Sequence, residues 1–300
     1  NGPENGEIGR TFRLLTLGGA SLQVVSEPAD PETILSAGKP FGVLVYLACS
    51  PGHAATREHL IDLLWANLEL DSARHALRQA LWYLRKHTDR HVIRSSDEEV
   101  VLSMPLTFDR DKFLQAIERQ EHERAVELYE GHFLPMFAAP GGASFEKWAD
   151  TERYRLRTHF LQAVQAAVKV KLEEGRLDRA RELAVQARDL VPRSQRTWHL
   201  LLETLLQAGD QVRARIEAHA LEQRREDFAR PLEEPIRRLL RAIRDEDDGV
   251  TRGDKRTVEP ELIGRETEFA KILSESKKSE AGQGRHVHLS GGAGLGKSRL

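Results

Sequence analysis

The 300-residue sequence predicts a mainly α-helical chain in three parts: a small α+β unit, an α-helical repeat region, and the start of an α/β phosphate-binding domain. Three observations predict it. Strand-forming runs and glycine turns sit at the two ends of the first hundred residues, with helical periodicity between them. Leu172, Gly175, Ala180 and Ala184 recur 34 positions later as Leu206, Gly209, Ala214 and Ala218. Finally, Gly291 to Ser298 reads Gly-Gly-Ala-Gly-Leu-Gly-Lys-Ser, the complete G-x-x-x-x-G-K-[ST] pattern.

The bulk properties suit globular cores, with 40% hydrophobic and 31% charged residues. Cys49 is the single cysteine, which excludes a disulfide framework and a paired-cysteine metal site. No window approaches a membrane span, and the polar stretch from Asn1 to Gly6 has no signal-peptide core. A cytoplasmic location with no membrane partner is the resulting expectation. The net charge of −2 conceals a local excess: Arg74, Arg78, Arg85, Lys86, Arg90 and Arg94 stand against only Asp71 and Asp89 between positions 71 and 94. Such a segment is an electrostatic footprint for a polyanion.

Phe12 to Leu17 and Ser21 to Val25 read as two strands around the Gly18-Gly19 turn. A helix then opens at Pro40 with Phe41, Leu44, Val45 and Ala48 inward, and Pro51-Gly52 closes it. Thr56 is the expected N-cap of a second helix carrying Glu58 in its first turn and Leu60, Ile61, Leu64 and Trp65 as its buried stripe. Asp71 or Ser72 is expected to cap a third helix. In it Ala73, Ala76, Leu77, Ala80, Leu81 and Leu84 fix one face inward, leaving His75, Arg78, Gln79, Trp82, Arg85 and Lys86 on the other. Arginine and glutamine pair in bidentate fashion with guanine and adenine edges in the major groove. A hairpin of residues 91–94 and 100–104 follows. Sheet, three helices and terminal hairpin are the parts of a winged helix-turn-helix, expected over residues 1–105 with the third helix as reader. Arg74, His75, Arg78, Gln79, Trp82, Arg85, Lys86 and Arg94 are the expected DNA-contacting residues. Trp82 stands open between touching DNA and packing against a neighbouring domain.

The run Thr56-Arg57-Glu58-His59-Leu60-Ile61-Asp62-Leu63-Leu64-Trp65, with Ala-Leu-Arg-Gln-Ala-Leu-Trp-Tyr-Leu-Arg within the third helix, resembles the winged-helix domain of the Streptomyces antibiotic regulatory protein (SARP) family. That resemblance implies binding to double-stranded promoter DNA through the third helix and the wing, usually at direct repeats, as well as RNA polymerase as a partner and homodimers on the repeats.

Residues 106–245 are rich in Ala, Leu, Glu and Arg, and the 34-residue period is that of stacked helix pairs of the tetratricopeptide (TPR) type. A fainter copy, Ala125-Val126-Glu127-Leu128-Tyr129 with Pro135, echoes the residues from Ala180 with Pro192. Gly175 and Gly209 are expected at turns, and Pro192 and Pro235 at helix boundaries. Phe108-Asp109 with Phe113, the run Phe145-x-x-Trp148-x-x-x-Glu152-Arg153-x-x-Leu156-Arg157, Gly175, Pro192 and Gly209 resemble the bacterial transcriptional activator domain that follows the winged helix in the same family. The chain departs from that family at Ala218-His219 and at Asp227-Phe228-Ala229-Arg230-Pro231, so a different closing turn is expected. No catalytic group or metal-ligand spacing is legible, and the chain is not expected to be an enzyme.

Residues 246–261 read as a charged linker. In residues 262–300, Leu262-Ile263-Gly264-Arg265-Glu266-Thr267-Glu268-Phe269 ahead of the loop is similar to the signal-transduction ATPases with numerous domains (STAND class). The loop glycines Gly291, Gly294 and Gly296 let backbone N–H groups approach phosphates, Lys297 offers a charge to the β and γ phosphates, and the Ser298 hydroxyl would ligate Mg²⁺. ATP and Mg²⁺ are thus expected for the full-length parent, which could be a slow ATPase switch, and neither for this chain, which ends at Leu300 before the following helix can form a turn. The function this adds up to is a sequence-specific DNA-binding transcriptional regulator under a nucleotide-dependent switch. The alternative is an ATPase-centred signalling protein whose winged helix and repeats contact other proteins.

Overall fold

The computed structural model describes residues 11–25, 30–88, 91–103, 106–135, 137 and 142–252, with side chains of the last helix described to residue 244. The chain opens with β1 (Thr11–Leu15) and β2 (Ser21–Val25), antiparallel with Phe12 opposite Val24 and Leu14 opposite Leu22. Gly18 makes the turn at φ 80°, and a Cβ there would meet the Glu130 backbone at 2.9 Å. A third strand, β3 (Glu32–Leu35), pairs with β2, and it was not expected from the sequence.

The three helices follow as α1 (Gly38–Cys49), α2 (Arg57–Leu64) and α3 (Leu70–His87), with β4 (Ala54–Thr56) between the first two. The Thr56 hydroxyl accepts the His59 N–H at 3.2 Å, the expected cap. The third helix, by contrast, starts earlier than expected: Glu69, not Asp71 or Ser72, is its N-cap, and the Glu69 carbonyl already accepts the Ala73 N–H at 2.8 Å. Asp71 instead lies in the first turn, where its charge complements the helix dipole. The hairpin of β5 (Ile93–Ser95) and β6 (Glu99–Leu102) pairs through β6 with β4, so the wing is the edge of a three-stranded sheet. Strand β7 (Leu106–Phe108) then runs parallel to β1, completing the sheet order β3-β2-β1-β7.

The described α-helices beyond β7 are α4 (Asp109–Glu118), α5 (His122–Leu128), α6 (Ala143–Glu173), α7 (Leu177–Leu190), α8 (Gln195–Gln207), α9 (Gln211–Gln223) and α10 (Glu234–Arg252), and from α4 to α9 successive helices pack on one another. The repeat is structural at atomic detail. Gly175 and Gly209 end α6 and α8 at φ 71° and 72°. Each donates its N–H three residues back, to Leu172 and Leu206, while Arg176 and Asp210 donate five back, to Lys171 and Leu205, at 2.8–3.0 Å. This is a helix stop closed by a left-handed residue. The fainter copy uses the same stop after α4, where Gln120 takes the left-handed position at φ 58° and Glu121 donates to Ala116. Ala180, Ala184, Ala214 and Ala218 are buried at the helix contacts, as the period requires.

The first 243 residues cluster as one compact unit, and residues from Arg244 onward as a second. Within the first unit the described residues fasten the winged helix to the repeats. The Asp109 carboxylate, at the first position of α4, accepts the Thr16 N–H at 2.6 Å, the Leu17 N–H at 2.8 Å and the Thr16 hydroxyl at 2.9 Å. Arg110 and Glu152 form a buried ion pair at 3.0 Å. An aromatic run bridges α1 to α6: Phe41 to Phe137 at 5.3 Å, Phe137 to Phe145 at 5.8 Å, and Tyr46 to Trp148 at 5.0 Å. The motif residues Glu152 and Arg153 are therefore fasteners, the latter donating to the Phe133 and Leu134 carbonyls at 2.9 and 3.2 Å. The departing closing turn is pinned by Gln195, whose amide donates to the Arg230 and Pro231 carbonyls and accepts the Glu233 N–H at 2.7 Å.

Candidate nucleic-acid interface

The amphipathic pattern of α3 separates in space as it does in sequence. Ala73, Leu77, Ala80, Leu81 and Leu84 are buried against α1 and α2, which leaves His75, Arg78, Gln79, Trp82 and Lys86 exposed on one face. Arg78 makes no hydrogen bond or ion pair among the described residues, so its guanidinium is available to an external acceptor. Gln79 lies 2.9 Å from His75 through their side-chain nitrogens, and Arg74 is 3.5 Å from the exposed Asp71, a pair worth little in water.

Arg85 differs from its neighbours. Its Nε donates to the Ile93 carbonyl at 3.0 Å and its Nη2 to the Ser95 hydroxyl at 2.7 Å, so this side chain ties α3 to the wing. Arg94 similarly donates to Ser103 Oγ at 2.6 Å, along the wing itself. Trp82 does not pack against any described domain: it is 59% exposed, and the Lys86 ammonium sits 5.0 Å from its ring centroid. A paired cation and aromatic face of this kind suits a phosphate or a stacked base edge.

Sequence reasoning missed Arg57. It stands at the first position of α2, donates its side chain to the Ser96 carbonyl at 3.2 Å and lines one groove together with Arg74, Arg78 and Arg85. Glu58 and Asp97 are the acids of that groove, so its balance is positive. The signal was the β4 to β6 pairing that brings residue 57 beside the wing, which a local reading does not contain. The wing tip itself is acidic, with Asp97, Glu98 and Glu99 all exposed. Arg57 and Arg94 are the cations on this side.

No described helix is long and apolar enough to cross a membrane, and no described group of His, Cys, Asp and Glu side chains is arranged to hold a metal ion. Arg90, with Asp89, and the phosphate-loop residues Gly291, Gly294, Gly296, Lys297 and Ser298 lie outside the described residues.

With this geometry in place, comparison with known families reaches the helical region. Residues 109–244 match the bacterial transcriptional activator domain. The match begins at Asp109, the residue that fastens α4 to the first β-turn, and it spans the three helix stops described above. No curated protein sequence matches the chain. Among solved structures, Mycobacterium tuberculosis EmbR in complex with a low affinity phosphopeptide superposes with a TM-score of 0.53 at 17% identity, over 79% of this chain and 66% of that one. At that identity the likeness is one of fold. It covers more of the chain than the bacterial transcriptional activator domain alone.

Proposed function

We propose that the chain is a sequence-specific transcriptional regulator of the SARP type that binds double-stranded promoter DNA through α3. The observation that carries the reading is the exposed face of α3, where Arg78 has no partner among the described residues and Gln79 and Lys86 flank it, followed directly by a region that matches the bacterial transcriptional activator domain. Arg78 and Gln79 are the base readers, while Arg57, Arg74, Lys86 and Arg94 serve phosphates. Arg85 positions the wing. RNA polymerase is the proposed partner of the regulator, and a pair of molecules on direct repeats its proposed assembly. A nucleotide-dependent switch is proposed for the full-length parent from the sequence of the last forty residues, with Lys297 and Ser298 holding ATP and Mg²⁺ there.

The test is binding to DNA selected from random sequence, followed by fluorescence anisotropy across salt concentrations. Arg78→Ala is expected to cost about 1–3 kcal/mol and to relax the preference at one base pair, whereas Lys86→Ala weakens all sequences alike and lowers the salt slope by about one. If neither substitution changes binding, α3 is not the reader. The exposed Trp82 and the acidic wing tip favour a second reading, in which the same face contacts a protein; selection from random DNA would then recover no consensus.

A further inference from the structure

Most arginines of the bacterial transcriptional activator domain are neutralised by acids, among them Arg110, Arg153, Arg179, Arg181 and Arg188. Arg157, Arg193, Arg196 and Arg230 make no ion pair among the described residues, and all four line one cleft of about 720 Å³. They arrive from separate places: α6, the α7 to α8 turn, the first turn of α8 and the closing turn. Glu233 is the one acid among the lining residues, which leaves the cleft with three positive charges in excess. Like charges gathered without counter-ions raise the free energy of the folded chain, and a bound anion recovers it. The same field reaches His132 on the rim, whose pKa is lowered by burial and by Arg157 and Arg153.

The walls are held in place. Gln195 fixes the carbonyls of Arg230 and Pro231 at 3.3 and 3.1 Å, and the Arg157 guanidinium lies 5.8 Å from the ring of Tyr154. That ring is 65% exposed and stands at the edge of the cleft. A smaller pocket of about 280 Å³ shares Leu161, Gln195, Arg196 and Glu233 with the cleft and continues between α6, α8 and α10. Its walls mix Val164, Ala187, Leu200 and Ile236 with Gln165 and the carboxylate of Glu203. The combination is a cationic mouth beside a mixed pocket with one apolar side, of the size that small ligands occupy.

We infer that this cleft binds a small organic phosphate, its phosphomonoester or pyrophosphate head on the four arginines and an apolar or aromatic body in the adjoining pocket. A dianion matches the charge excess better than a monocarboxylate, and guanidinium groups present planar forks suited to phosphate oxygens. The site is independent of the α3 face and does not rest on the DNA-binding proposal.

The experiment uses the whole 300-residue chain, with anilinonaphthalenesulfonate as a fluorescent anion bearing an aromatic body and pyrophosphate as a calorimetric ligand and competitor. One saturable dye site displaced by pyrophosphate is expected. The double variant Arg193→Ala/Arg196→Ala removes two exposed side chains and is expected to weaken both ligands about tenfold or more with an unchanged melting midpoint. Leu200→Trp, which fills the adjoining pocket, should weaken the dye while leaving pyrophosphate affinity unchanged. Arg230→Gln provides a further variant in the closing turn with the same expected direction. Undiminished binding in the double variant, or a dye site that pyrophosphate does not displace, would overturn the proposal. Displacement by polyglutamate or by duplex DNA but not by pyrophosphate would also overturn it, assigning the arginines to an acidic polypeptide or to nucleic acid.

Discussion

Replacing Asp109 by Ala should loosen the joint between the winged helix and the repeats. In the native chain the carboxylate serves three backbone N–H groups, the adjacent one of Arg110 and two across the joint, those of Thr16 and Leu17, whose residues are 0% and 2% exposed. Alanine leaves the two donors across the joint stranded, at about 1–3 kcal/mol each. Part of that loss is offset, because the buried carboxylate is itself costly: burial raises its pKa despite the Leu17, Thr16 and Arg110 donors. A net destabilisation of about 2–4 kcal/mol follows, and about half of it for Asp109→Asn, which keeps one acceptor oxygen. A raised folded pKa means the stabilising contribution is complete below the unfolded value of 3.8 and is lost as pH climbs through the folded value. The advantage of Asp over Asn is therefore smaller at neutral pH than in mild acid. Urea denaturation at both pH values, followed by circular dichroism, measures this. An unchanged midpoint for Asp109→Ala would refute the assignment of the carboxylate as the fastener.

Three further outcomes are expected. Ala214→Leu inserts three carbons at a fully buried helix contact and should cost about 1–3 kcal/mol in urea midpoint. Gln120→Gly should stabilise by roughly 0.5–1 kcal/mol, because it removes a left-handed side-chain penalty, and Gly175→Gln should destabilise by a similar amount since a Cβ there meets open space. Glu123 carries a pKa lowered by hydrogen bonds from Arg179 and Lys171, so its stabilising effect is present above pH 4.5 and is lost as pH falls through the folded value; Glu123→Gln should flatten the acid limb of the stability profile.

The face of α3 was legible because helical periodicity and charge sign agree over the whole run from Ala73 to Lys86. Its start was not, since Asp71 and Ser72 are good caps locally while the turn from Trp65 delivers the chain into helix at Leu70. β4 and β7 have three residues each and no alternation, and they exist because β6 and β1 offer them an edge. The repeat was clear wherever glycine marks the helix stop and faint where Gln120 occupies the same backbone position. Among site residues, Arg78 was readable as an outward cation. The diversion of Arg85 to the wing depends on how the hairpin folds back on α3, and the arrival of Arg57 beside it on the pairing of β4 with a strand 39 residues or more away in sequence.

Helix α6 gives the protein an unusual mechanical character. Its 31 residues extend about 46 Å. One end carries Phe145 and Trp148 beside α1, the middle holds Glu152 on Arg110, and the far end carries Lys171 paired with Glu123 of α5. The helix therefore acts as an axle through the unit, and α3 is joined to it through α2, which packs on both. Under the proposed DNA-binding reading, two molecules seated on direct repeats would meet only where the base-pair spacing suits this stiff body, and a spacer altered by half a helical turn, about 5 bp, would break cooperation outright instead of weakening it gradually.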